Sequence, residues 1–125
     1  MSLYKTRPFS RLAKKAGISD SALRVAVKEM RQGIIHAKLG GNVYKQRVAV
    51  GGQGKRGGSR VIVAANLEDR WIFVHCYSKN DKDNISPGEE DAFKQFADIY
   101  LNLSEETIAT AVERGILEAL YEDES

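Results

Sequence analysis

The order of segments predicts an α+β domain: two amphipathic helices, then a group of strands in an antiparallel-dominated sheet, then further helices. Three observations carry the prediction. Apolar residues recur at helical spacing through residues 9–30 and again through 93–112. Between them, residues 43–50, 59–65 and 71–78 are rich in β-branched and aromatic side chains. Short connections join these runs, and strands grouped apart from helices are the pattern of α+β folds.

Each element has a local reason. Residues 3–6 read as a short opening strand. Pro8 suits a first helical turn, Phe9, Leu12, Ala13 and Ala16 fall on one face, and Gly17 ends the helix. Ser19 caps a second helix over about 20–32, with Leu23, Ala26, Val27 and Met30 as its apolar stripe. Arg24, Lys28 and Arg31 form a separate basic stripe, and Gly33 stops the helix. Gly40-Gly41 turns the chain into the strand 43–50, which places Lys45 and Arg47 on one face and Tyr44, Gln46 and Val48 on the other.

After a glycine-rich loop come two strands, 59–65 and 71–78, with Asn66-Leu67-Glu68-Asp69 as the hairpin turn between them. Strict alternation puts Trp71, Phe73, His75 and Tyr77 on one face and Ile72, Val74 and Cys76 on the opposite one. Ser86-Pro87-Gly88-Glu89 is a capping box with proline at the first helical position. The helix it opens carries Phe93, Phe96, Ala97, Tyr100 and Leu101 on one side. Ser104 caps a further helix with Ile108, Ala111 and Val112, closed by Gly115; residues 116–125 read as an apolar patch followed by an acidic tail.

At 125 residues one domain with a single real core is expected. No apolar run approaches the ~20 residues of a membrane span, the opening residues form no signal-peptide pattern, and the lone Cys76 suits a reducing compartment. A cytoplasmic protein without membrane association is the expectation. The net charge of +2 conceals a division: residues 1–79 hold 16 Lys/Arg against 4 Asp/Glu, and residues 80–125 hold 3 against 13. A basic part of that size is the footprint of a nucleic-acid or acidic ligand.

The basic part centres on residues 51–60, where five glycines stand among Lys55, Arg56 and Arg60. This is not a Walker A loop, because Ala49 and Arg56 occupy positions where that loop needs Gly and Ser/Thr. The Gly51-x-x-Gly54 spacing matches the KH-domain clamp, but here it joins strands instead of helices. Glycine lets backbone N–H groups come close to a polyanion, and guanidinium groups pair with phosphate oxygens. Metal ligation has thin support: His36 and His75 stand far apart without Cys or carboxylate at ligand spacing, so no metal and no cofactor are expected. Cys76 reads as core, and Tyr77, near its strand's end, is the best candidate for stacking on a base.

What these residues permit is phosphoryl chemistry on RNA, which carries its own nucleophile in the 2′-OH. The protein has to take that proton, neutralise the phosphorane and protonate the leaving oxygen. A lysine among like charges loses its proton more readily, while arginine stays charged. Lys45 and Arg47 on one strand face, beside Arg60 on the next strand, are suitable ingredients.

Several segments resemble, in order and spacing, the RelE/HigB-type toxins of bacterial toxin–antitoxin operons. They are Phe9-Ser10-Arg11-Leu12-Ala13-Lys14 with Gly17, the Met30-x-x-Gly33 helix end, residues 40–49, residues 54–60, residues 73–79 and Asn84-Ile85. The resemblance covers about residues 4–103, leaving 104–125 as C-terminal helix and tail within a single domain. It implies two helices packed on the sheet and ribosome-dependent cleavage of mRNA, which inhibits translation. It also implies a cognate antitoxin as partner, often one carrying a helix-turn-helix domain. The family's Tyr-Lys-x-Lys/Arg strand falls on Tyr44, Lys45 and Arg47, its Gly-x-Arg strand start on Gly58 and Arg60, and its basic strand end on Lys79. Lys45, Arg47, Arg60 and Lys79 are then the candidate catalytic residues, and Lys55, Arg56, Lys82 and Tyr77 the candidate RNA contacts. Where some relatives place a tyrosine or histidine, residues 80–85 hold neither; the general base is Lys45, Lys79, Tyr77 or His75. The competing expectations are a non-catalytic RNA- or ribosome-binding module and a related toxin acting on a topoisomerase.

Overall fold

A computed structural model describes residues 1–51, 54, 58–79 and 85–120. In chain order the elements are β1 (Ser2–Thr6), α1 (Arg7–Ala16), α2 (Asp20–Arg31), β2 (Ala37–Gly40), β3 (Val43–Val48), β4 (Ser59–Ala65), β5 (Arg70–Ser78), α3 (Pro87–Tyr100), α4 (Glu105–Glu113) and β6 (Leu117–Leu120). Ser19 and Ser86 cap their helices where the sequence places them, and Thr6, the last residue of β1, caps α1. Thr6 Oγ1 accepts the Phe9 N–H at 3.2 Å and Ser19 Oγ the Ala22 N–H at 3.1 Å. Ser86 and Glu89 bond reciprocally at 3.1 Å in each direction. Gly17 closes α1 at φ 75°, a left-handed conformation natural to glycine.

The strands form one sheet in the order β2-β3-β4-β5-β1-β6. All neighbours are antiparallel except β1 and β5, which run parallel. Helices cover both faces. On one side Phe9 and Ala13 of α1 and Leu23, Ala26, Val27 and Met30 of α2 pack against Val61, Val63, Trp71 and Phe73. On the other, Ala97 of α3 and Ile108 and Ala111 of α4 pack against Val43, Ile62, Ala64 and Ile72. This explains why 61–65 and 71–74 are apolar at every position: they are central strands buried on both faces.

Two strands escaped the sequence reading. β2 is four residues long and sits at the sheet edge, paired with β3 across the Gly40–Asn42 turn, whose residues all take positive φ. β6 occupies what read as an apolar patch. It pairs with β1, burying Leu117 and Leu120 on opposite sides of the sheet, and Lys5 bonds both Asp20 and Glu118 at 2.9 Å, tying β1, α2 and β6 together.

The alternation assigned to β5 holds only for its first half. Ile62 pairs with His75 but Val63 pairs with Phe73, so β5 carries one extra residue, a β-bulge at Val74. Beyond it the parity inverts. Trp71 and Phe73 share the α1/α2 core with Cys76, while Tyr77 joins Ile72 and Val74 on the α3/α4 side. His75 also lies on that side, stacked on Phe93 of α3 with ring centroids 5.6 Å apart. The four residues expected on one face are thus split between two.

Arg70, at the start of β5 and 6% exposed, fixes how α3 meets α4. Its Nη1 donates to the Tyr100 and Leu103 carbonyls, both at 2.8 Å, and its Nη2 pairs with Glu105 at 2.8 Å. The carbonyls ending a helix lack intrahelical partners, and a cation there also meets the negative end of the helix dipole.

Candidate RNA-cleaving site

β3 shows the alternation its sequence predicts. Val43 enters the α3/α4 core, Tyr44 and Val48 the α1/α2 core, and Lys45 and Arg47 lie on the α3/α4 face. Register then aligns residues across three strands. Arg47 stands opposite Arg60, and Arg60 opposite Tyr77; in the next row Lys45 faces Ile62, and Ile62 faces His75. Lys45, Arg47, Arg60 and Tyr77 therefore share one face, toward the end of the sheet nearest the glycine loop. The β5 bulge brings Tyr77 there, since without it the ring would point into the opposite core.

Arginines placed directly opposite each other across a ladder repel. Neither Lys45 nor Arg47 forms an ion pair with a carboxylate among the described residues. Arg60 Nη1 reaches the Ser59 carbonyl at 3.4 Å. The row thus concentrates positive charge on the half-exposed end of a rigid sheet, an arrangement that suits a phosphate.

Two further groups complete the surface. Gln46, 4% exposed, accepts the His36 N–H through Oε1 and donates through Nε2 to the Ile34 carbonyl, both at 2.9 Å. This splint holds residues 34–36 beside β3. Partial burial and then the charges of Arg47, Lys45 and Arg60 push the His36 pKa below 6.5, so its imidazole is neutral at pH 7. Burial raises the Tyr77 phenol above 10 although Arg60 pulls it down, so it keeps its proton. Burial also lowers the His75 pKa, against the attraction of Glu89. His75 and Tyr77 rings are 6.2 Å apart. A cationic row flanked by a neutral imidazole and a protonated phenol can hold a phosphate, accept one proton and donate another.

Lys79 follows β5 directly, its N–H donating to the Gly58 carbonyl at 3.2 Å. Gly58 leaves no room for a side chain, because a Cβ there would collide with the Val48 carbonyl oxygen unless the backbone moved. Lys55, Arg56 and Lys82 lie outside the described residues. Among the described residues no three His, Cys, Asp or Glu side chains group to hold a metal ion, and no helix is long and apolar enough to cross a membrane.

His36 entered the sequence reading only as an isolated histidine. The signal that finds it is the Gly40-Gly41 turn: folding residues 36–39 back on 43–46 sets Ala37 opposite Lys45 and brings His36 to the same end. The family model for the RelE toxin of the RelE/RelB toxin–antitoxin system matches residues 1–120. No curated protein matches the chain.

Proposed function

The chain belongs to the RelE toxin family, and on that premise we propose that it cleaves mRNA on the ribosome by attack of a ribose 2′-hydroxyl on the adjacent phosphate. Membership makes it the toxin of a toxin–antitoxin pair, with a RelB-type antitoxin as its partner. In the proposed reaction neutral His36 accepts the 2′-hydroxyl proton as that oxygen bonds to phosphorus. Arg47 and Arg60 neutralise the charge gathering on the phosphorane oxygens. Tyr77 gives its proton to the 5′-oxygen as the P–O5′ bond breaks, leaving a 2′,3′-cyclic phosphate and a 5′-hydroxyl. Lys45 and Lys79 add charge on either side, and the proton roles the sequence suggested for them pass to His36 and Tyr77. A neutral imidazole and a protonated phenol already hold the protonation states that the two steps require at neutral pH.

The observation that carries the reading is the Arg47–Arg60–Tyr77 row, which sets two arginines opposite each other beside a phenol. Expression of the Arg60→Ala variant tests it. Growth arrest and cleavage sites mapped by primer extension should both disappear while the melting temperature holds. Full toxicity in that variant overturns the assignment. Salt-sensitive RNA or ribosome binding by the wild type, with every transcript intact, would leave the non-catalytic binding module instead.

A further inference from the structure

Along α2 a hollow of about 720 Å³ opens against the start of β1. Buried Leu3 and Val27 form its floor, and the half-exposed Met1 and Val25 its rims. It is lined by Arg24, Lys28 and Arg31, the basic stripe of α2, which has no part in the cationic row; no Asp or Glu stands among its lining residues. Lys28 and Arg31 form no ion pair with a carboxylate among the described residues. β6 runs toward this hollow. It is antiparallel to β1 with Leu120 opposite Leu3, so the ladder, carried on, puts the next two positions level with Ser2 and Met1. Lys5 bonds Asp20 and Glu118 at 2.9 Å each, which sets the first turn of α2 beside the start of β6.

We propose that residues 121–125 continue β6 along α2 and dock in this hollow, where Glu122 and Glu124 pair with its basic stripe and withhold those cations from nucleic acid. Alternation selects the two carboxylates. Glu118 bonds Lys5 and Ser10, and Leu120 enters the α1/α2 core, so the even-numbered positions of β6 face α2. Tyr121 and Asp123 then belong to the opposite face. Spacing agrees with this. A strand advances about 3.3 Å per residue and a helix about 1.5 Å, so four strand residues match about nine helical ones. Counted from the Asp20–Lys5–Glu118 junction, Glu122 comes level with Lys28, and Glu124 with the end of α2, where Arg31 stands. A nucleic-acid strand or a partner's acidic segment matches the same charges. Residues 121–125, however, are tethered at the edge of the hollow, which holds them there at a roughly millimolar effective concentration. The docking stands whether or not the arginine row cleaves RNA.

The test uses the full chain with its native lysines. Carbodiimide coupling joins a carboxylate to an amine in contact with it, and peptide mass spectrometry reads the links. Lys5–Asp20 and Lys5–Glu118 serve as internal standards, since both pairs are in contact. Lys28 should link to Glu122 or Glu124 in a yield comparable to theirs, and not to Asp123; Lys28→Arg should remove the link. Standards that form while residues 121–125 link to no lysine, or link through Asp123 as readily as through its neighbours, overturn the docking. Anisotropy with a labelled oligothymidylate then reads the shielding. Glu122→Gln with Glu124→Gln should raise its affinity ~3-fold or more at low salt, and the gain should vanish once Lys28→Gln and Arg31→Gln are added. A gain of the same size without those two cations means that the acidic segment repels nucleic acid from a distance, and overturns the docking. Unchanged affinity overturns the shielding.

Discussion

Replacing Arg47 by Gln should stabilise the protein while it weakens RNA binding. Arg47 and Arg60 are cross-strand partners on one face, so their Cβ atoms lie about 5 Å apart, and ~6 Å is taken as the separation of their charged ends. Two unit charges at that distance repel by about 0.7 kcal/mol in water. Salt with a Debye length of ~8 Å halves this, and the low-dielectric sheet beneath them restores some of it. A gain of ~0.5 kcal/mol follows, in the range measured for cross-strand pairs, which is about 2 °C in melting temperature for a chain of this size. Differential scanning calorimetry at 20 mM and 500 mM NaCl measures it. The wild type should gain stability with salt, and further with phosphate or sulfate bound at the row; Arg47→Gln should start higher and respond less. A lower melting temperature for Arg47→Gln at low salt, or equal salt responses of the two proteins, would refute the claim that the row is held together against its own charge.

The pH dependence of cleavage should be a broad plateau. Activity rises as His36 loses its proton, with a midpoint below 6.5, and falls as Tyr77 loses its own above 10; His36→Gln should remove the acidic limb of the single-turnover profile. Stability should have an acid limit set partly by Glu118, whose carboxyl is held below 4.5 by hydrogen bonds from Lys5 and Ser10. Its contribution is present above its unfolded pKa and lost as pH falls through the lower folded value, so acid titration should release β6 early, and Glu118→Gln should flatten that loss. Gly58→Ala should cost about 1–3 kcal/mol by forcing β3 and β4 apart, readable in chemical denaturation. Arg70→Met should cost about 1–3 kcal/mol, since it strands two part-buried carbonyls while the exposed Glu105 loses little by unpairing, and its thermal melt should show it.

Most of the fold was legible because its signals are local. Ser19, Ser86 and Ser104 mark helix starts through their own hydroxyls. The apolar run 61–65 marks a central strand without reference to anything distant. The missed strands β2 and β6 are four residues each and half-exposed; β2 is defined only by its hairpin with β3, and β6 only by β1 at the other end of the chain. The site divides in the same way. Lys45 and Arg47 could be set on one face by alternation, and Arg60 beside them by the β3–β4 hairpin. His36 depends on a buried glutamine ten residues away, and Tyr77 on a register shift that no residue type announces.

That shift has a consequence for how this surface can be altered. Substitution at Val74 changes only a partly redundant apolar contact, so a scan of side chains would pass over it. Deleting Val74 would leave a regular ladder with His75 still opposite Ile62 and Tyr77 opposite Arg60, whereas inserting one residue after His75 would turn the Tyr77 phenol into the α1/α2 core and the Cys76 thiol to the opposite face. The placement of this surface is encoded by a count of residues as well as by their kinds, and a strand lengthened by one, with every reactive group still present, should lose the proposed activity.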